Sequence, residues 1–271
     1  MTDPVIQAVN VSKSFGTGPA WVQALKDVNL TLNAGELTVL MGPSGSGKTT
    51  LLSILGCMLA PTNGIVRVCG TSTSGARPDQ LAKIRRQHIG FVFQAYHLFS
   101  TLTVAENVRL ALDLRGERGP KAVAKSEEIL ASVGLTNKMA SFPRQLSGGE
   151  QQRVAIARAI VAEPSAVLAD EPTAALDAAN GQATMMILSA VAKKRGRAVL
   201  VVTHDPRLFG FADRIVHIED GSLTRQEFAE SGSFRGCSAG LIEPDERRCF
   251  NAISNLVVGQ KASPVVPRAA V

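Results

Sequence analysis

The sequence predicts an α/β fold built on a mainly parallel sheet. Three observations carry that expectation. Short, continuous apolar runs at residues 37–41 (LTVLM), 166–169 (AVLA) and 198–202 (AVLVV) read as strands buried on both faces. Helical patterns alternate with them, as in a parallel sheet. Glycine-rich or acidic turns follow some of these runs directly, at the strand ends where open α/β sheets gather ligands.

In chain order, residues 5–11 and 24–32 (ALKDVNLTL) alternate weakly as strands, the second closing at Asn33-Ala34-Gly35. After residues 37–41 comes the glycine loop GPSGSGKTT and a helix over 48–59. Pro61-Thr62-Asn63-Gly64 is a turn, followed by a strand at 65–68. Residues 89–93 (IGFVF) form another apolar strand that ends at Gln94. Helical patterns at 104–114, 122–133 and 147–161 then read as an insertion between strands. The sheet resumes at 166–169 and 198–202, with a helix over 178–193 between them, and ends with a strand at 214–219. The expected organisation is a body over residues 1–228, with a helical part at about 95–163. A C-terminal extension over 229–271 carries a linker, an amphipathic helix at 243–258 and a disordered end.

With 45% hydrophobic residues among 271, the chain has ample material for a core. The net charge of +6 is modest and scattered, apart from KKRGR at 193–197, which reads as a solvated helix end. Only 4% of residues are aromatic, so no nucleic-acid partner is expected. Cys57, Cys69, Cys237 and Cys249 form no C-x-x-C pair. The start, MTDPVIQAVN, lacks a basic region followed by an apolar core, so no signal peptide is expected. The uncharged stretch 49–66 is broken by Pro61, Asn63 and Gly64 and is not expected to span a membrane. A cytosolic location follows, with any membrane supplied by another chain.

GPSGSGKTT fits G-x-x-x-x-G-K-[ST] between a strand and a helix, the setting that a phosphate loop needs. Gly42, Gly45 and Gly47 let backbone N–H groups curl around phosphate oxygens, with Pro43, Ser44, Ser46 and Thr50 completing the loop. Lys48 puts a point charge on the β and γ phosphates, and Thr49 offers a hydroxyl to Mg²⁺. In VLADEPTAALD, Asp170 ends a strand and is placed to hold Mg²⁺ through water. Glu171 is next and can polarise a water aimed at the γ-phosphate, a role worth about 10²–10⁴ in rate. Gln94 and His204 close two further strands; the first can touch the metal or the attacking water, the second can sense the γ-phosphate. QLSGGEQQRVAIARAI offers a second anion site, because Ser147, Gly148 and Gly149 head a strong helix. Ser147 and Glu150 have capping-box spacing, so Glu150 is expected to serve its own backbone first.

Phosphate loop, Gln94, LSGGE, LADEP, ALD and THD, in this order, resemble the ATP-binding subunit of ABC transporters over roughly residues 5–225. RRQHIGFVFQ, LSGGEQQRVAIARA, LADEPTAALD and THDPRLFGFADRIVHIEDG look most like the lipoprotein-releasing and macrolide-exporter (LolD/MacB-like) branch, and the cell-division FtsE type reads much alike. The resemblance implies a P-loop ABC cassette with a mainly parallel sheet core, an N-terminal antiparallel β part and an inserted helical subdomain. It implies ATP and Mg²⁺ as cofactors and a second copy of the chain paired head to tail. Each ATP then lies between one glycine loop and the Ser147-Gly148-Gly149-Glu150 helix of the other copy, with Asp177 crossing the dimer. Phe15 matches the position of the adenine-stacking aromatic, with Trp21 as the fallback. A complete ATPase set with no membrane span leads to the expectation of a separate integral membrane permease, whose coupling helices a groove of the helical insertion over 95–144 would receive at the cytoplasmic face of the inner membrane. Export or extraction of a lipoprotein, lipid or hydrophobic compound is the implied work. The alternative is an ATPase that regulates a membrane partner in cell division without transport.

Overall fold

The computed structural model describes residues 4–229, so the expected helix at 243–258, with Cys237 and Cys249, lies outside the described residues. The chain begins with β1 (Ile6–Phe15), β2 (Val22–Leu32) and β3 (Leu37–Met41), then α1 (Lys48–Leu55), β4 (Asn63–Val68) and β5 (Thr71–Ser72). Next come α2 (Pro78–His88), β6 (Ile89–Val92), α3 (Val104–Asp113), α4 (Pro120–Ser132) and α5 (Gly148–Ile160). It ends with β7 (Ala166–Asp170), α6 (Ala178–Arg195), β8 (Ala198–Thr203), β9 (Arg214–Glu219) and β10 (Ser222–Phe228).

Six strands make the central sheet, in the order β10-β9-β3-β8-β7-β6. All its pairings are parallel except that of β10, which returns antiparallel along β9. The apolar runs are buried on both faces, as their unbroken hydrophobicity predicts. Their side chains alternate between two cores. Val39, Val167, Ala169, Val199 and Val201 face the helices α3, α4, α5 and α6. Leu40, Leu168, Leu200 and Val202 face α1 and the second sheet, which is antiparallel with order β2-β1-β4-β5.

Some boundaries differ from the sequence reading for identifiable reasons. The strand expected over 5–11 continues to Phe15 through register shifts against β2. The helix expected to reach residue 59 stops at Leu55, because Gly56 ends it and lies against Phe91: a Cβ there would stand 2.0 Å from that ring. α2 escapes pattern reading because it is charged and buries one side chain, Ile84. β10 is a polar edge strand with no fully buried position. The segment after His204 is a 3₁₀ turn, Pro206–Phe211. Among the described residues, no helix is long and apolar enough to cross a membrane.

Candidate functional site

Three strand ends define a cleft. Met41 pairs with Thr203 and Asp170 with Val202, so β3, β7 and β8 finish at the same level. The chain therefore leaves the sheet together at Gly42, Glu171 and His204. A cleft of about 660 Å³ opens there, walled by Pro43, Ser44, Gly45, Gly47, Lys48, Thr49, Thr50, Gln94, Asp170, Glu171 and His204, with Ala24 from β2.

The loop from β3 to α1 needs its glycines. Gly45 has φ of +81° and Gly47 of +100°, backbone states that L side chains avoid. A Cβ on Gly47 would lie 2.6 Å from the Ala24 carbonyl oxygen, and one on Gly42 only 2.1 Å from that of Ile218. The loop is thus threaded between two strands at backbone contact. Lys48 opens α1 and is 9% exposed. Its ammonium donates to the carbonyl oxygens of Gly42 and Pro43 at 2.8 and 2.7 Å. Neutral carbonyls orient the charge without cancelling it, which leaves it available to an anion in the loop.

The acidic half faces this cation. Burial, and then the neighbouring Glu171, push the Asp170 carboxyl above the ordinary carboxylate range. A hydrogen bond with the Thr49 side chain and the charge of Lys48 pull it back only part way. Asp170, the Thr49 hydroxyl and the Gln94 amide line one cleft and offer oxygen donors, the set that a hard divalent cation prefers. The side chains present fit Mg²⁺ on those grounds.

β7 ends abruptly because Glu171 turns left-handed, with φ of +46°, while its N–H donates to Val202 O at 2.9 Å. A non-glycine residue held this way costs about 1–2 kcal/mol. The turn re-aims the side chain away from the direction that strand alternation would give it. Its Oε1 meets His204 Nδ1 at 2.8 Å. A carboxylate can only accept, so that ring nitrogen is the donor.

The remaining sequence candidates lie elsewhere. Gly42 and Ser46 belong to the loop but not to the cleft wall, and Ser46 Oγ is buried without a hydrogen-bond partner among the described residues. Phe15 and Trp21 stand exposed at one end of the β1–β2 hairpin, outside the wall, with the Lys13 ammonium 5.1 Å from the Phe15 ring centroid. Ser147, Gly148, Gly149, Glu150 and Asp177 are also absent from the wall. The capping box of α5 is formed: Ser147 Oγ accepts from Glu150 N at 3.3 Å, and Glu150 Oε2 accepts from Ser147 N at 2.8 Å. Asp177, expected to cross the dimer, caps α6 within its own chain, accepting from Asn180 N and Nδ2 at 2.9 and 2.8 Å. The heads of α5 and α6 touch, since a Cβ on Gly149 would lie 2.2 Å from Asn180 Oδ1. This close approach explains the second glycine without any ligand.

A second, apolar groove of about 630 Å³ lies partly on the helical insertion, and the sequence did not single out the residues that line it. Met58, Phe91, Phe93, Phe99, Leu110 and Leu114 line it, together with Arg85, Arg86 and Arg158. Arg158, near the end of α5, donates to the carbonyls of Tyr96 and His97 at 2.7 and 2.5 Å. Both those residues have positive φ and follow Gln94 closely, so α5 ties down the loop that presents Gln94. Asn107, fully buried on α3, holds the far end of the same loop through Phe99 N, Phe99 O, Leu102 O and Thr103 O. Arg158 shows its role only through partners 61 and 62 residues away, and Asn107 through backbone groups four to eight residues upstream; the residue types alone carry no signal.

Known proteins share this chain's sequence and fold. The family described as "ABC transporter" matches residues 25–174. The macrolide export ATP-binding/permease protein MacB of Salmonella typhimurium is 45% identical over 239 residues, covering 88% of this chain and 37% of that protein. The protein of the same name from Escherichia coli K12 is 41% identical over 222 residues, covering 82% of this chain and 34% of that protein. The chain therefore spans little more than a third of the curated relatives it matches. Among solved structures, the dimeric post-hydrolysis state of the ATP-binding cassette MJ0796, bound to ADP and Pi, aligns with a TM-score of 0.76 and 41% identity, over 83% of this chain and 99% of that one. The cbiO1 protein of Clostridium perfringens, part of the cbiONQ ABC transporter complex, aligns with a TM-score of 0.75 at 27% identity, over 84% of this chain and 89% of that one.

Proposed function

The chain belongs to the ABC transporter family, and from that premise we propose that it is an ATP-hydrolysing subunit that pairs head to tail with a second copy to drive a membrane permease. The observation that carries this reading is a division of labour. Lys48, Thr49, Gln94, Asp170, Glu171 and His204 share one cleft, while the anion-attracting head of α5 lies outside it. One copy holds the phosphates and the catalytic carboxylate; the partner copy's α5 supplies N–H groups to the γ-phosphate. Two identical sites follow from two-fold symmetry.

In the reaction, the Glu171 carboxylate accepts a proton from a water as that water adds to the γ-phosphorus and the bond to ADP breaks. His204 holds Glu171 in place through the 2.8 Å contact. Lys48 steadies the β and γ phosphates. Thr49, Asp170 and Gln94 would hold Mg²⁺, which would supply charge neutralisation on the phosphates. Phe15 is the adenine platform, with Trp21 as the fallback.

The groove lined by Phe91, Phe99 and Leu114 receives a short cytoplasmic helix of the permease, and the Arg158 clamp conveys its presence to Gln94. The chain then sits on the cytoplasmic face of the membrane. The relatives named for macrolide export support export as the work of the assembly, and a hydrophobic compound, lipid or lipoprotein is the cargo we propose.

Replacing the catalytic carboxylate by its neutral isostere tests this reading. Glu171→Gln retains ATP affinity in calorimetry, loses turnover by about 10²-fold or more and elutes as a dimer with ATP and Mg²⁺. A profile that stays monomeric under those conditions contradicts the proposal.

A further inference from the structure

The head of α5 poses an electrostatic problem. Ser147, Gly148 and Gly149 offer N–H groups to an anion, and a helix N-terminus carries roughly half a positive unit charge. Glu150, one turn in, carries a full negative charge and takes the Ser147 N–H for itself at 2.8 Å. Alone, that carboxylate outweighs the helix end and turns the head net negative. Lys138 restores the sign: its ammonium lies 3.3 Å from Glu150 Oε1, the oxygen left over from the capping bond.

The lysine is delivered by rigid backbone. It ends the 3₁₀ turn Thr136–Lys138, and the following residues bond directly to the start of α3, with Ala105 N donating to Met139 O at 3.0 Å and Val104 N to Ser141 O at 2.8 Å. Burial draws the Glu150 carboxyl upward, but the Ser147 N–H and Lys138 together overcome it and hold the group below the ordinary range. The carboxylate is therefore ionised whenever a nucleotide could arrive.

We infer that Lys138 is a positioning residue for the ATP-bound dimer: by pinning and neutralising Glu150, it keeps the head of α5 attractive to the γ-phosphate held by the other copy. The inference rests on the head-to-tail reading above. It makes the glutamate in LSGGE tolerable through a partner on a separate element, upstream in the chain.

The test uses the full chain with Glu171→Gln as background, so that ATP and Mg²⁺ accumulate the dimer, read by analytical ultracentrifugation. Lys138→Met is expected to weaken ATP contact about fivefold per site, hence the dimerisation constant by about 25-fold. Lys138→Arg restores it. Adding Glu150→Gln to Lys138→Met removes the penalty, and raising the salt shrinks it, because the defect is an exposed carboxylate facing phosphate. A Lys138→Met penalty that is equal with and without Glu150→Gln, or indifferent to salt, overturns the inference. If the Glu171→Gln background itself fails to dimerise, it is the head-to-tail reading that falls, before Lys138 enters.

Discussion

At the scale of single residues, Asp170 shows how the site trades stability for chemistry. Its carboxyl sits above the ordinary range because it is partly buried beside Glu171. The folded chain thus holds this proton more tightly than the unfolded chain does. The group's contribution to stability is complete below the unfolded pKa and is lost as pH rises through the carboxylate range toward the raised value. At neutral pH the ionised carboxylate is a cost. Asp170→Asn is therefore expected to raise the melting temperature of the nucleotide-free protein at neutral pH while abolishing the Mg²⁺ dependence of nucleotide binding. Calorimetry at pH about 7 and about 5 checks the sign, since the gap from the native chain should narrow on acidification. The cost makes sense if a cation and triphosphate are what the carboxylate waits for.

At the scale of elements, the loop between β6 and α3 is the least regular part of the site and the most heavily tied. Tyr96 and His97 are held left-handed, with Arg158 gripping both carbonyls from α5. Burial lowers the pKa of that guanidinium, as expected for a cation satisfied by backbone alone. Asn107 anchors the other end, making four hydrogen bonds from a fully buried position. Removing its amide leaves several backbone groups without partners, so Asn107→Ala is expected to cost about 2–4 kcal/mol in urea denaturation. It should also lower turnover more than nucleotide affinity, because the loop carries Gln94 and not the phosphate loop. A full loss of stability with unchanged kinetics would separate the two functions of the loop.

At the scale of the whole molecule, the cleft and the head of α5 are built on different parts of the fold. The cleft lies where β3, β7 and β8 end; α5 packs with α3, α4 and α6 on one face of the sheet. Within one copy the two half-sites do not share a pocket. A mixed dimer of one Lys48→Ala copy and one copy with Ser147 replaced concentrates both lesions in one site and leaves the other intact. Isolated by separate tags, that heterodimer should recover ATP turnover that neither homodimer has. No recovery would exclude shared sites.

The sequence alone determined the buried parallel strands, the glycine loop and the acidic strand end, because each is a local pattern: an unbroken apolar run, a spacing of glycines, a carboxylate after a buried strand. It also disclosed the capping box of α5, whose partners are three residues apart. α2 and β10 left no such pattern, being charged or polar elements that bury little. Tertiary structure alone decided that Glu171 turns to His204, that Arg158 holds the Gln94 loop, and that Lys138 reaches Glu150. Those roles depend on direction and distance between segments far apart in the chain, which composition and spacing do not encode, because the energy of a charge or hydrogen bond is set by what packing brings within about 3 Å of it.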